Sequence, residues 1–98
     1  MSRYGSRVVT PHFVILWRRS SARHSRLGIT VTKRVAGAVG RNRVKRMVRE
    51  AFRNSYRWSR AGLDVVVIAK NGAPRLGAAE VARQMATALR RIQGAGEP

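Results

Sequence analysis

A basic segment at residues 40–53 carries the clearest chemical signal in the chain. Its fourteen residues hold six arginines and lysines and a single acid, Glu50. Guanidinium groups bind phosphates through paired hydrogen bonds and stack on bases, which suits RNA. Asn42 lies among these cations and can read a base edge or a 2′-hydroxyl, which a phosphate contact does not require. Because a merely solvated charged surface usually mixes signs, the segment predicts a nucleic-acid-binding surface.

The apolar residues of the same segment indicate how the cations are positioned. They follow the i, i+3, i+4, i+7, i+8 spacing of an amphipathic helix over residues 41–54: Val44, Met47, Val48, Ala51 and Phe52. At about 100° per residue, the opposite side holds a polar set flanked by Arg43 and Glu50, namely Asn42, Lys45, Arg46, Arg49 and Arg53. Arg41 and Arg43 are expected at the helix N-terminus, where unpaired backbone N–H groups favour anions.

The composition of the whole chain favours a polyanionic partner. Its 98 residues contain 21 Lys and Arg against 4 Asp and Glu, a formal net charge of +17. Such a self-repelling surface makes sense beside a polyanion. Residues 1–49 hold 13 of the basic residues and no acid, so no local partner neutralises that half of the chain.

Length and hydropathy limit the architecture and the location. A hydrophobic fraction of 44% is close to the globular average and supports a packed core. The longest strongly apolar run spans residues 13–17, far below the ~20 residues of a membrane span, and no signal peptide is recognisable. We therefore expect a single RNA-binding domain over residues 1–98, cytoplasmic and without a membrane partner, with disordered ends at residues 1–6 and 94–98.

The sequence offers few groups for catalysis by the protein itself. Cysteine is absent, which excludes thiolate zinc sites. His12 and His24 have no partner at a metal-ligand spacing, so we expect them to be hydrogen-bonded or solvated. No serine lies in a G-x-S-x-G motif, and the four acids are scattered. We therefore expect no catalytic residue, no metal site, no protein-bound cofactor and no small-molecule substrate.

Periodicity in the first third of the chain predicts strands. Residues 8–9 and 13–18 are extended, with an interruption at Thr10 and Pro11 because proline cannot donate to a sheet ladder. Residues 27–32 alternate apolar side chains with small or polar ones. This alternation indicates a strand with one buried face, whose other face is open to solvent or a ligand.

The remaining chain completes a two-layer domain. The apolar run at residues 64–69 predicts a central strand buried on both faces, and residues 78–92 repeat the spacing of an amphipathic helix. The resulting β-β-α-β-α order predicts a small α/β (α+β) sandwich with both helices packed on one mixed sheet.

Three stretches together closely resemble the protein subunit of bacterial ribonuclease P. They are the Arg41-Asn42-Arg43-Val44-Lys45-Arg46 motif, RLGITVTKR at residues 26–34, and GLDVVVIA at residues 62–69. The resemblance implies a division of labour over most of the chain. A large catalytic RNA would remove the 5′ leader of precursor tRNA by hydrolysis, using Mg²⁺ held by that RNA. The small protein would bind both the catalytic RNA and the leader.

The resemblance also implies roles for individual residues. Those expected to contact the catalytic RNA are Arg41, Asn42, Arg43, Lys45, Arg46 and Arg49, with Arg53 on the same helix and Lys33 and Arg34 beside them. The leader is expected on the open sheet face, with candidate contacts Val14, Leu16 and Thr30. The family's β-α-β crossover is left-handed, whereas general chirality favours the right hand. Family members usually begin with a further basic helix, which we expect this chain to lack.

Two other functions remain open on the sequence alone. A ribosomal protein would have the same size, charge and layering, and only the motif at residues 41–46 with its flanking strands separates the two. A DNA-binding domain is less well supported, because the chain shows neither a helix-turn-helix pair nor a zinc framework.

Overall fold

The computed structural model describes residues 5–20, 24–54 and 62–95, in which two helices pack on a four-stranded mixed sheet. The elements in chain order are β1 (Ser6–Thr10), β2 (Phe13–Arg19), β3 (Arg26–Thr30), α1 (Ala38–Arg53), β4 (Leu63–Ala69), a 3₁₀ turn (Ala73–Arg75) and α2 (Ala78–Ala95). This architecture confirms the predicted two-layer α+β fold. Order extends into both of the ends expected to be disordered, since β1 begins at Ser6 and α2 continues to Ala95.

The first extended segment folds as a hairpin, which adds one strand to the predicted order. Thr10 pairs with Phe13, so Pro11 and His12 form a two-residue turn. The Thr10 hydroxyl donates to the Phe13 carbonyl over 3.3 Å. Proline presets a backbone φ that suits the first central position of a turn and has no N–H for the ladder. The interruption expected at residues 10–11 is therefore the turn of the hairpin.

The sheet has the strand order β1-β2-β4-β3. Its first two pairings are antiparallel, and β3 pairs with β4 in parallel. The register aligns four apolar residues in one row facing the helices: Val8, Ile15, Val67 and Ile29. Helix α1 connects the parallel pair β3 and β4; the left-handed sense of this crossover stays a prediction.

The core lies between this face of the sheet and the two helices. Helix α1 contributes Val44, Val48 and Phe52, each no more than 1% exposed. Helix α2 contributes Val81, Met85, Ala88, Leu89 and Ile92. The apolar stripes expected on the two helices are therefore confirmed. None of the described helices is both long and apolar enough to cross a membrane.

Strand β4 is central, as predicted, but the expectation that it is buried on both faces is wrong. Val65 and Val67 are buried beneath the helices, whereas Val66 and Ile68 project from the other face and are half-buried. Both helices pack on the same side of the sheet, so no described element covers the second side. We call this second side the open face.

Candidate nucleic-acid interface

Five polar residues of α1 form a surface that we call the α1 ridge: Asn42, Lys45, Arg46, Arg49 and Arg53. They fall within an arc of roughly 100° beside the buried stripe of the helix. All are exposed except Lys45, which is half-buried. The ion pairs of the described residues use only the carboxylates of Asp64 and Glu80. The ridge therefore presents four positive charges that no carboxylate of the described chain neutralises.

Arg41 and Arg43 do not occupy the helix end that the sequence predicted for them. The helix begins at Ala38, three residues earlier than expected, and the backbone N–H of Arg41 donates to Gly37 over 2.9 Å. The backbone N–H groups that lack an intrahelical acceptor therefore lie before Arg41. The side chain of Arg41 donates from Nη1 to the Ala36 carbonyl, 3.1 Å away.

Arg43 anchors the first half of α1 to the 3₁₀ turn. Its Nη1 donates to the Pro74 carbonyl over 2.6 Å. The guanidinium remains exposed and lies beside the α1 ridge rather than within it. Arg43 is therefore available to an RNA while it also fastens the helix to the loop after β4.

Lys33 and Arg34 lie in the connection between β3 and α1, and both are exposed. The Val35 N–H donates to the Thr32 carbonyl over 3.0 Å, which closes a turn around them. This connection leads directly into the first turn of α1. The structure therefore places both cations, exposed, in the connection that precedes α1; their contact with the catalytic RNA stays a prediction.

The three leader-binding candidates lie on the open face, arranged in rows by the strand register. Val14, Ile68 and Thr30 are neighbours in one row, and Leu16, Val66 and Gly28 are neighbours in the next. Strand β1 extends the first row with Val9 and the second with Arg7, both exposed. Val14 and Leu16 are half-buried and Thr30 is exposed. The sequence did not identify Val66 and Ile68 as members of this surface, because an unbroken apolar run does not reveal which face is covered.

The third row of the open face holds a cluster of charges. Asp64 is 5% exposed and accepts hydrogen bonds from two arginines on the neighbouring strands. Arg26 donates from Nε (2.9 Å) and Nη2 (3.0 Å), and Arg18 donates from Nε (3.2 Å). The hydrogen bond from Arg26 does most to lower the pKa of Asp64 below its usual value, and the bond from Arg18 adds to it, although burial opposes both.

Sequence reasoning missed this cluster of Arg18, Asp64 and Arg26. The available signal was an isolated acid at the start of an apolar strand in a strongly basic chain. That signal names Asp64 but not its partners, because they are 46 and 38 residues away in sequence.

His12 is hydrogen-bonded, as predicted, and fastens the β1–β2 turn to α2. Gln84, only 1% exposed, accepts from the His12 backbone N–H and lies 3.0 Å from its ring Nδ1. Gln84 also donates to Glu80, which pairs with Arg83. These bonds, from Arg83 first and Gln84 second, lower the pKa of Glu80 to about 2.

The described side chains do not fit a protein-held metal ion. No group of three or more His, Cys, Asp or Glu comes together in residues 5–20, 24–54 and 62–95. The oxygens of Asp64 and Glu80 instead accept hydrogen bonds from guanidiniums. What the described part of the fold offers is a cationic helix and an uncovered apolar sheet face, which are both suited to RNA.

Comparison with known sequences gives a consistent result. A family model described as Ribonuclease P matches residues 1–93. The ribonuclease P protein component of Syntrophus aciditrophicus is 39% identical over 87 residues, which cover 89% of this chain and 73% of the relative. The corresponding protein of Syntrophobacter fumaroxidans is 42% identical over 86 residues, covering 87% of this chain and 72% of the relative.

Solved structures agree with the sequence matches. The RNase P protein of Thermotoga maritima, in complex with 1-(4-fluorophenyl)-2-thiourea, has a TM-score of 0.79 at 32% identity, covering 88% of this chain and 84% of that one. The Staphylococcus aureus RNase P protein has a TM-score of 0.79 at 28% identity, covering 89% and 80%. These matches favour neither a ribosomal nor a DNA-binding protein. The chain belongs to the family of bacterial ribonuclease P protein components, the RNA-binding subunits of the endoribonuclease that matures the 5′ ends of tRNA.

Proposed function

We propose that the chain binds the catalytic RNA of ribonuclease P through the α1 ridge. Membership of the family implies association with that RNA. The observation that carries the assignment of the surface is the run of exposed ridge cations, which pair with no carboxylate of the described chain. Lys33, Arg34, Arg41 and Arg43 extend this surface at the N-terminal end of the helix.

The 5′ leader of precursor tRNA is assigned in this proposal to the open face. In two neighbouring rows there, β2, β4 and β3 carry only apolar side chains, a glycine and Thr30, and β1 adds Val9 to one row and the exposed Arg7 to the other. Gly28 has no side chain, so the backbone is accessible to a ligand at that point. The apolar side chains can contact the faces of unstacked bases, and the Thr30 hydroxyl can bind a ribose 2′-hydroxyl. A single strand with unstacked bases can therefore lie on this surface.

The chemistry in this proposal belongs to the RNA. Mg²⁺ held by the RNA would supply the activated water and stabilise charge on the phosphate, and the protein would contribute affinity for the two nucleic acids. Because precursor tRNA, the proposed substrate, is made in the bacterial cytoplasm, we propose that the protein acts there.

Reconstitution tests the RNA-binding half of the proposal. The chain is combined with a ribonuclease P RNA at low magnesium, and cleavage of precursor tRNA is measured with and without the protein. Binding of the RNA is measured over a salt series. If about six to eight phosphates are neutralised, the logarithm of affinity falls against the logarithm of salt with a slope of about −4 to −7. A slope near −1, or no gain in cleavage, would contradict the proposal.

A pair of substrates tests the leader half. The holoenzyme is given precursor tRNA with its leader and the same tRNA without it. We expect the leader-bearing substrate to bind more tightly, and Leu16→Thr to reduce that difference because it places a hydroxyl on the apolar floor. Affinity for the leaderless tRNA should not change. Equal affinity of the unaltered holoenzyme for both substrates would exclude the open face as a leader site.

A further inference from the structure

The charged row of the open face has an arrangement that the proposed leader site does not by itself explain. Arg18, Asp64 and Arg26 are neighbours across β2, β4 and β3. Both guanidiniums donate to the same carboxylate oxygen, Oδ2 of Asp64. The carboxylate is nearly buried, with a side chain 7% exposed, whereas the arginine side chains are 43% and 70% exposed. The carboxylate is thus covered by groups that themselves face solvent.

The cluster of Arg18, Asp64 and Arg26 carries a net positive charge, which favours binding of an anion. Two guanidiniums and one carboxylate leave one positive charge, which a single phosphodiester would neutralise. Arg26 uses Nε and Nη2 for Asp64, and its side chain is 70% exposed to solvent. Because a planar guanidinium presents donors on more than one edge, it can bind a carboxylate and a phosphate at the same time.

Asp64 also reduces the conformational entropy that Arg18 and Arg26 lose when they bind a ligand. An exposed arginine loses rotamer freedom when it binds a ligand, and this loss opposes affinity. Here the side chains are already held by hydrogen bonds to a residue in the centre of the sheet. The cluster is therefore organised before a ligand arrives, unlike the cations of the α1 ridge.

We infer that Arg18 and Arg26, positioned by Asp64, bind a backbone phosphate of the 5′ leader at one end of the open face. This inference depends on the proposed leader surface and specifies its polar end. The next two rows are apolar on β2 and β4 and follow at intervals of about 6.8 Å along the strands, with the exposed Arg7 of β1 at the edge of the nearer row. A leader strand fixed by one phosphate at the charged row would thus lie over the apolar rows in a defined register.

Single substitutions in the holoenzyme provide the first test. Arg26→Ala and Arg18→Ala are compared with Arg83→Ala, which removes an arginine that is 65% exposed and paired with Glu80 on α2. We expect each open-face variant to lower affinity for leader-bearing precursor about tenfold. The salt slope should become shallower by about 0.7 for each phosphate that the variant no longer binds. Affinity for leaderless tRNA, and both affinities of Arg83→Ala, should stay unchanged.

A phosphate-by-phosphate experiment locates the contact. Leaders are synthesised with one neutral methylphosphonate at a time and bound to the unaltered holoenzyme and to the Arg26→Ala holoenzyme. The inference predicts a single position at which the methylphosphonate abolishes the difference between the two proteins. If the difference is the same at every position, Arg26 acts through diffuse charge and the inference is overturned.

Asp64→Asn separates positioning from charge. The substitution keeps the shape of the side chain and raises the net positive charge of the open face by one. If the arginines acted only through their charge, the variant would bind the leader more tightly. Positioning by Asp64 predicts weaker binding and the disappearance of the single sensitive phosphate, in a protein whose unfolding transition remains cooperative.

The outcomes distinguish this inference from the proposed function. If Leu16→Thr lowers leader-dependent affinity while Arg18→Ala and Arg26→Ala do not, the leader surface stands and the phosphate site is rejected. If the unaltered holoenzyme does not distinguish the two substrates, both are rejected. Weaker binding after substitution in both the apolar and the charged rows, with one sensitive phosphate, supports both.

Discussion

The α1 ridge and the charged row of the open face both present arginine to solvent, but they hold it differently. On the ridge, Arg46, Arg49 and Arg53 extend from a helix and pair with no carboxylate of the described residues. On the open face, Arg18 and Arg26 are tied to a nearly buried Asp64. The first surface leaves its side chains to be ordered by the partner, and the second orders them in advance.

This difference matches the two ligands that the surfaces are proposed to bind. A folded RNA offers many phosphates in a fixed array, so an unpaired ridge gains affinity by displacing counterions at several positions. A single-stranded leader has no fixed shape and must itself be ordered on binding. A site that binds it gains most when the protein side is already organised. In this proposal, the arginines paired with Asp64 bind the leader, and the ridge arginines, which pair with no carboxylate of the described residues, bind the folded RNA.

The largest effect should come from the core that supports the ridge. Phe52 is 1% exposed beneath α1, and Phe52→Ala should lower the free energy of unfolding by about 3–5 kcal/mol. That is a large part of the ~5–15 kcal/mol available to a small domain. Thermal unfolding followed by circular dichroism measures the change. Val39→Ala, at a site 84% exposed on the same helix, is the matched control and should leave the transition in place.

Substitution on the ridge should weaken RNA binding and leave the stability of the fold almost unchanged. Arg46→Ala is expected to weaken binding of the catalytic RNA by ~1–3 kcal/mol while the unfolding transition hardly moves, because its side chain is exposed. Binding is measured by titration of labelled RNA, with Arg90→Ala on α2 as the control. A large decrease in stability with unchanged RNA affinity would show that Arg46 supports the fold rather than the interface.

Lowering the pH should reduce the stability of the fold by a smaller amount, through Asp64 on the open face and Glu80 on α2. The folded state lowers the pKa of Asp64 below 3.8 and that of Glu80 from 4.5 to about 2. The unfolded chain therefore takes up these protons at higher pH than the folded chain does, and stability is lost as the pH falls from about 5 towards 2. Unfolding midpoints measured over this range should fall less steeply for Asp64→Asn than for the unaltered protein.

The same acid titration has a specific control. Glu80→Gln removes the other lowered carboxyl, on α2 and away from the open face, so it should flatten the pH profile without changing leader binding. Asp64→Asn should change both. If neither variant alters the slope, the carboxylates do not couple folding to pH in the way that their hydrogen bonds indicate.

The helix that carries the ridge was predictable because its signal is local. Five apolar residues at helical spacing define its buried side, and the structure buries Val44, Val48 and Phe52 as expected. Its first residue was not predictable in the same way. Gly37 to Gly40 contain no apolar periodicity, so the pattern predicts a start at Arg41, and the exposed Val39 gives no sign of belonging to the first turn.

The open face was only partly predictable because its signals are distant in sequence. Alternation in β3 indicated an uncovered side, which placed Thr30 correctly. The run from Val65 to Ile68 could not show whether one or both faces are covered, since that depends on where both helices pack. The pairing of Asp64 with Arg18 and Arg26 needs the register of three strands, and one of these joins in parallel through a whole helix.

Arg43 provides the test with the smallest expected effect. Its guanidinium is not bound to a carboxylate, as those of Arg18 and Arg26 are, but it still has a hydrogen-bond partner within the fold. Its Nη1 donates to the Pro74 carbonyl, so part of the side chain is ordered by the fold although no carboxylate is involved. Arg43→Ala should therefore lower the free energy of unfolding by about 0.5–1 kcal/mol, or roughly 2–8 °C in the unfolding midpoint. It should also weaken RNA binding, but by less than Arg46→Ala does.

The two measurements on Arg43→Ala must be read together. A decrease in RNA affinity as large as that of Arg46→Ala, with no change in the unfolding midpoint, would mean that the bond to Pro74 contributes nothing and that Arg43 belongs to the ridge. A decrease in stability with unaltered RNA affinity would instead make Arg43 a purely internal anchor. An intermediate result in both measurements would show that the carbonyl of the 3₁₀ turn does for Arg43, weakly, what Asp64 does for Arg26: it fixes a guanidinium in place and leaves it facing the RNA.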